Sequence, residues 1–240
     1  MVQRLTPREA ATSMPLGATL PAGTDERFTG YGVIGLPFAS GHYLALRDFV
    51  ASSVGPAYRS VWHRDPTGAW TVYSTTSPGQ SCPRYLGAAL AHPPVTTSID
   101  VTWLGDADVR IRVDDVIDWT LQMAETVATR LMTAIGQRMP ASAWKSRAVV
   151  GVMGRVAGPL LSAGRMRLTG DMPNGQEFRA APRRIWAIPS STATVAGRDI
   201  GPVGPLAEQD RVGDFWLPQR GIFFADGVGR FAPAASASGG

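Results

Sequence analysis

The chain is poor in the residue types that most often carry chemistry. Among 240 residues it has one cysteine, Cys82, one lysine, Lys145, and three histidines, His42, His63 and His92. A lone cysteine excludes an internal disulfide. The histidines and the cysteine are dispersed, without the close spacings of a zinc site, so no metal and no cofactor is expected. No G-x-G-x-x-G follows a strand signal and no G-x-x-x-x-G-K is present, which removes the sequence support for nucleotide binding. The longest apolar run, Ala148–Gly154, is far too short to span a membrane and is bounded by Arg147 and Arg155. Met1–Glu9 lacks an apolar segment and does not read as a secretory signal, so the expected location is cytoplasmic. The net charge of +4 comes from arginines scattered along the chain, densest at Arg110/Arg112, Arg165/Arg167 and Arg183/Arg184. No basic stripe or recognition module accompanies them, so no nucleic-acid partner is expected.

What is abundant is apolar and aromatic. Hydrophobic residues make up 44% of the chain against 18% charged, enough to build a core without staples. The most informative stretch is Tyr58–Tyr73. Two aromatic, β-branched runs flank Asp65-Pro66-Thr67-Gly68, in which proline presets φ, aspartate caps the turn and glycine takes the positive φ that follows. A turn with a glycine bulge puts Trp62, Trp70 and Val72 on one face and Val61, His63, Thr71 and Tyr73 on the other; a bulge-free turn groups His63 with Trp70 instead. A further hairpin is expected from Tyr31–Phe38 and His42–Val50. Residues 76–94 read as a loop-rich flap. From Val95 to Met123 apolar and polar residues alternate through three strands, an antiparallel meander with one wet face.

The period then changes to three and four residues. Val127/Ala128, Leu131/Met132 and Ile135 mark one helix, and Ser142 begins a second through about Ala157. Gly151, Gly154 and Gly158 weaken that helix unless another backbone packs closely there. Strands resume at Arg165–Gly170, Glu177–Ala180, Arg183–Ile188 and Thr192–Ala196, and Asp214–Phe224 forms a closing strand or lid. The expected fold is mainly β: an antiparallel β-barrel or two-sheet sandwich with an inserted helical pair. Residues 1–27 read as an N-terminal arm, 28–232 as a single β-rich domain with helices near 124–158, and 233–240 as a disordered tail.

Few residues suggest reactivity. His63 can act as a general base oriented by Asp65, or can simply be hydrogen-bonded while Asp65 caps the turn. Cys82 lacks a flanking motif and reads as an inert thiol. Ser142-Ala143-Trp144-Lys145 matches S-x-x-K without its companion motifs. Asp118 adjoins Trp119; if the polar face points inward, an apolar setting raises its pKa and makes it a proton donor, and otherwise it is solvated. Trp62, Tyr73, Trp119, Trp186 and Trp216 are the candidate walls of a ligand cavity, or core bulk.

Trp62-His63-Arg64-Asp65-Pro66-Thr67-Gly68-Ala69-Trp70, with its G-x-W, and Pro182-Arg183-Arg184-Ile185-Trp186 resemble lipocalin-like proteins of the carotenoid hydratase and non-redox cyclase kind. The resemblance covers about half the chain and transfers no catalytic residue; the helical pair departs from a simple lipocalin barrel. It implies a hydrophobic small-molecule pocket and cofactor-independent hydration, isomerisation or cyclisation. Two other classes remain: a non-catalytic lipid or pigment carrier, whose pocket holds no convergent carboxylate or histidine, and a scaffold or oligomerisation module with a filled interior. The oligomeric state is not legible.

Overall fold

The computed structural model describes residues 4–14, 18–20 and 22–233, apart from the side chain of Ala88. Residues 234–240, most of the expected tail, lie outside the described residues. The elements are α1 (Pro7–Thr12), β1 (Glu26–Pro37), β2 (Tyr43–Ser52), β3 (Tyr58–Arg64), β4 (Trp70–Ser74), α2 (Pro83–Leu86), β5 (Val95–Thr96), β6 (Ile99–Trp103), β7 (Asp108–Val113), β8 (Ile117–Ala124), α3 (Val127–Arg138), α4 (Ala141–Lys145), α5 (Arg147–Leu160), β9 (Thr169–Asp171), β10 (Glu177–Val195), β11 (Arg198–Asp199), β12 (Arg211–Val212), β13 (Phe215–Trp216) and β14 (Gly221–Phe231).

The hairpin β3–β4 takes the bulged register: Trp62 opposes Val72 and His63 opposes Thr71. Asp65 Oδ1 accepts from the backbone N–H groups of Thr67 and Ala69 and from the Thr67 hydroxyl, and Gly68 has φ +94°. These bonds fix the turn. The meander β6–β7–β8 forms with Val101 opposite Ile111 and Ile111 opposite Trp119. Its start differs from the sequence reading, because Val95–Thr96 is a separate strand that pairs parallel to β4.

One large sheet runs in the order β5-β4-β3-β2-β1-β14-β10-β8-β7-β6, with β9 and β11 attached to β10; β12 and β13 pair separately. The two ends of this path are consecutive in the chain, and the sheet curls back on itself as a half-barrel. Arg59 helps to join the ends, donating to the Ile99 carbonyl at 2.9 Å. The fold is therefore mainly β, with helices inserted after the meander.

The concave side is filled. Val33, Leu46, Val61, Tyr73, Ile111, Trp119, Trp186 and Phe223 meet there in one core, with Trp119 and Phe223 fully buried. Trp119 Nε1 donates to Ser191 Oγ at 2.9 Å. At one end Asp48 Oδ2 accepts from Tyr31 Oη and Arg59 Nε, so the polar groups drawn inward are paired.

Three local readings are corrected. The arm carries a helix, α1, because Thr6 and Glu9 form a reciprocal capping box and Ala10 and Ala11 reach the core. The second helix of the insertion breaks at Ser146, which caps α5 by accepting from Val149 N; Ser142 sits exposed inside the short α4. The three strands expected between 177 and 196 are one strand, β10, which pairs with β14 along its first half and with β8 along its second. Two glycines of α5 do admit a neighbouring backbone: a Cβ on Gly158 would meet the Gly164 carbonyl oxygen and one on Gly154 would stand 2.9 Å from Leu168 N, whereas one on Gly151 would meet only the Thr169 side chain, at 3.8 Å. This close approach holds the segment 164–168 over the convex side of the sheet.

Candidate functional site: an aromatic cavity on the convex face

On the convex side the sheet is covered by α2, by residues 166–172 and by β13. Strand alternation sends Phe28, Tyr43, Phe49, Tyr58 and Trp62 to this side, away from the concave core. Between sheet and cover lies a cavity of about 110 Å³. Phe49, Tyr58, Trp62, Phe178, Phe224 and Phe231 form much of its sheet-side wall; Cys82, Tyr85, Leu86, Met166, Phe215 and Trp216 belong to the cover. The lining shares no residue with the concave core. The space arises where β10 and β14 pair through small residues, Ala180 with Gly229 and Pro182 with Gly227.

The polar content of this cavity is sparse. Among the described residues no aspartate, glutamate or histidine lines it. Arg167 and Arg179 do, but each is already paired, with Asp214 and with Glu177. Arg47 is different. It is 8% exposed, its guanidinium carbon lies 4.6 Å from the centre of the Trp62 ring, and it forms no ion pair among the described residues. Its Nη1 donates to the carbonyls of Val33 and Leu46, and its Nη2 to that of Ile34 at 3.3 Å. Burial pulls its pKa below the usual guanidinium value, while Cys82, Tyr43 and Tyr58 oppose that shift. Burial likewise pushes the Cys82 thiol up, against the Tyr58 hydroxyl 3.5 Å away, so the sulfur is held as a thiol. Trp62 Nε1–H is directed at that sulfur, a weak acceptor, and has no other acceptor among the described residues.

Of the sequence candidates, Trp62 and Trp216 line the cavity. Tyr73, Trp119 and Trp186 pack in the concave core instead. The three acid/base candidates are not gathered at the cavity. His63 lies on the opposite face of β3 from Trp62, with Nε2 2.9 Å from His42 Nδ1 and the two rings stacked. Burial, and then His42, depress its pKa to about 4. Burial pushes the Asp65 carboxyl up, but hydrogen bonds from Thr67 and Ala69 outweigh it and leave the pKa lowered. Those bonds belong to the turn. Asp118 stands on the solvated face of β8, where Arg110 binds it through Nε at 2.8 Å and through Nη2. That hydrogen bond lowers its pKa, the reverse of what a proton donor at neutral pH requires.

Sequence reading missed Arg47. Its signal was a cation inside the apolar run Leu44-Ala45-Leu46, followed by Asp48, Phe49 and Val50. Among the described residues no group of three or more histidine, cysteine or carboxylate side chains is placed to hold a metal, and no helix is long and apolar enough to cross a membrane.

No protein-family model matches the sequence, and no curated protein matches it. A solved structure of acetoacetate decarboxylase from Legionella pneumophila subsp. pneumophila str. Philadelphia 1 is similar over 90% of this chain and 87% of that chain, at 11% identity and a TM-score of 0.37. At this distance no residue or activity transfers. The likeness to lipocalin-like proteins rests on the sequence elements alone.

Proposed function

We propose that this protein binds an apolar small molecule in the convex-face cavity and does so without turning it over. The carrying observation is the lining itself: aromatic and aliphatic walls and a protonated thiol, with no carboxylate and no imidazole among the described residues. Such a site offers burial and shape but no group poised to exchange a proton at neutral pH. His63, Asp65 and Asp118 lie in a ring pair, a turn and a surface ion pair. The hydration, isomerisation or cyclisation implied by the lipocalin resemblance thus finds no acid or base at the cavity, and a carrier or sensor of a hydrophobic ligand fits better. The size is modest: an apolar cavity of about 150 Å³ admits benzene, and this one, at about 110 Å³, is smaller, so a short alkyl chain suits it.

Filling the cavity tests the reading. A Cβ on Gly229 meets only ordinary contacts, the nearest at 3.9 Å. Gly229→Leu is therefore expected to place its side chain in the cavity while changing stability by no more than about 1–3 kcal/mol. Calorimetric titration with short-chain alkyl compounds should show binding to the wild type, weakened about tenfold or more by the substitution. Unchanged affinity in a variant that folds normally would place the binding elsewhere.

A further inference from the structure

Arg47 is a cation enclosed by rings and carbonyls with no anion beside it. A guanidinium carries five N–H donors in a planar fork. Three are used, two at Nη1 and one at Nη2, on the carbonyls of Val33, Leu46 and Ile34. Nε–H and one Nη2–H have no acceptor among the described residues. Trp62 is 5% exposed, and its Nε1–H has no acceptor among the described residues stronger than the Cys82 sulfur it is directed at. Trp62 also presents its ring face to the guanidinium, and Phe215 and Phe224 stand 5.8 Å away. These rings and the three carbonyl dipoles offset part of the cost of burying the charge, but none supplies an opposite charge. The other two lining arginines already hold carboxylates.

We infer that the ligand is a carboxylic acid with a small apolar body, bound as its carboxylate by Arg47, with Trp62 Nε1–H as a further donor. Two oxygens in a plane match the free side of a guanidinium fork, and in a poorly hydrated cavity such a pair is strong. The aromatic walls then take the short alkyl part. A fixed cation also gives selectivity: a neutral analogue leaves Arg47 without a partner and loses affinity for that reason. The inference rests on the cavity reading above and adds the identity of the head group.

Butanoate and its neutral counterpart butanol separate the two. Calorimetric titration of the wild type should show the acid bound about tenfold or more tightly than the alcohol. Arg47→Met should abolish that preference, bringing acid and alcohol to within a few fold of each other, and Arg47→Lys should restore part of it, because a point charge replaces a fork. Trp62→Phe keeps an aromatic face but removes the N–H together with part of the indole; the acid-over-alcohol preference should fall by a few fold, the lost ring atoms affecting both probes. Near-ultraviolet circular dichroism verifies that each variant folds. Equal affinity for acid and alcohol in the wild type would overturn the carboxylate assignment and leave the cavity reading standing, and that comparison needs no variant. Acid preference that survives Arg47→Met would overturn it too. Failure of both probes to bind the wild type would overturn both readings.

Discussion

Trp119→Ala is expected to lower the free energy of unfolding by about 3–5 kcal/mol, the range for deleting a fully buried large aromatic side chain. Trp119 has no exposed surface, sits in the centre of the concave core and donates to Ser191, whose hydroxyl in turn donates to the Thr120 carbonyl at 2.8 Å. Removing the indole opens a void and takes an acceptor's partner away. Trp216→Ala should cost no more than about half as much, because that ring is half-buried, at the edge of the cavity, between Arg165 and Arg211. Urea unfolding of both variants measures the contrast. Comparable losses would mean that the concave side is less tightly filled than the packing indicates.

The second large effect is a dependence on pH. His63 is buried beside His42 and titrates in the folded protein near 4, against 6.5 for an ordinary histidine. The folded state thus favours the neutral ring. Above pH 6.5 the group contributes no pH dependence. As pH falls below 6.5 the unfolded chain takes up the proton first, and stability declines until the folded pKa near 4 is passed. At 1.4 kcal/mol per unit the full loss is about 3 kcal/mol. His63→Gln removes the titration. The difference in unfolding free energy between wild type and variant should shrink by about that amount between neutral pH and pH 4, measured by urea unfolding at a series of pH values. A constant difference would contradict the burial of a neutral imidazole pair.

The sequence was most legible where one strand face is wet and the other dry. Arg110, Arg112 and Asp118 alternate with Val109, Ile111 and Trp119, so both the register and the faces of the meander could be read from a period of two. Asp65 and Gly68 set the β3–β4 register through turn chemistry. The switch to a helical period at Val127 was equally plain. The side that would hold a guest was not legible. Both faces of β2 are buried, the concave core on one and the cavity on the other, so Tyr43–Ala51 contains no alternation that marks an interior. For the same reason Trp62 could not be placed: it sits between Val61 and His63 in a strand buried on both faces, and it stands on the opposite side of the sheet from Trp119. Pro182 and Pro189 punctuated what is a single long strand, since a proline costs only its own ladder bond there. The Thr6–Glu9 cap was present in the sequence, hidden among prolines, glycines and threonines.

The account depends on a guest occupying the convex face while the curl of the sheet stays solid. Nitrogen-edited NMR of the indole groups reads this directly, because tryptophans stand on both sides. During titration with butanoate, the Nε1 signals of Trp62 and Trp216 should shift progressively while those of Trp119 and Trp186 stay in place. Movement of Trp119 and Trp186 with Trp62 silent would put the ligand inside the curl and contradict the account.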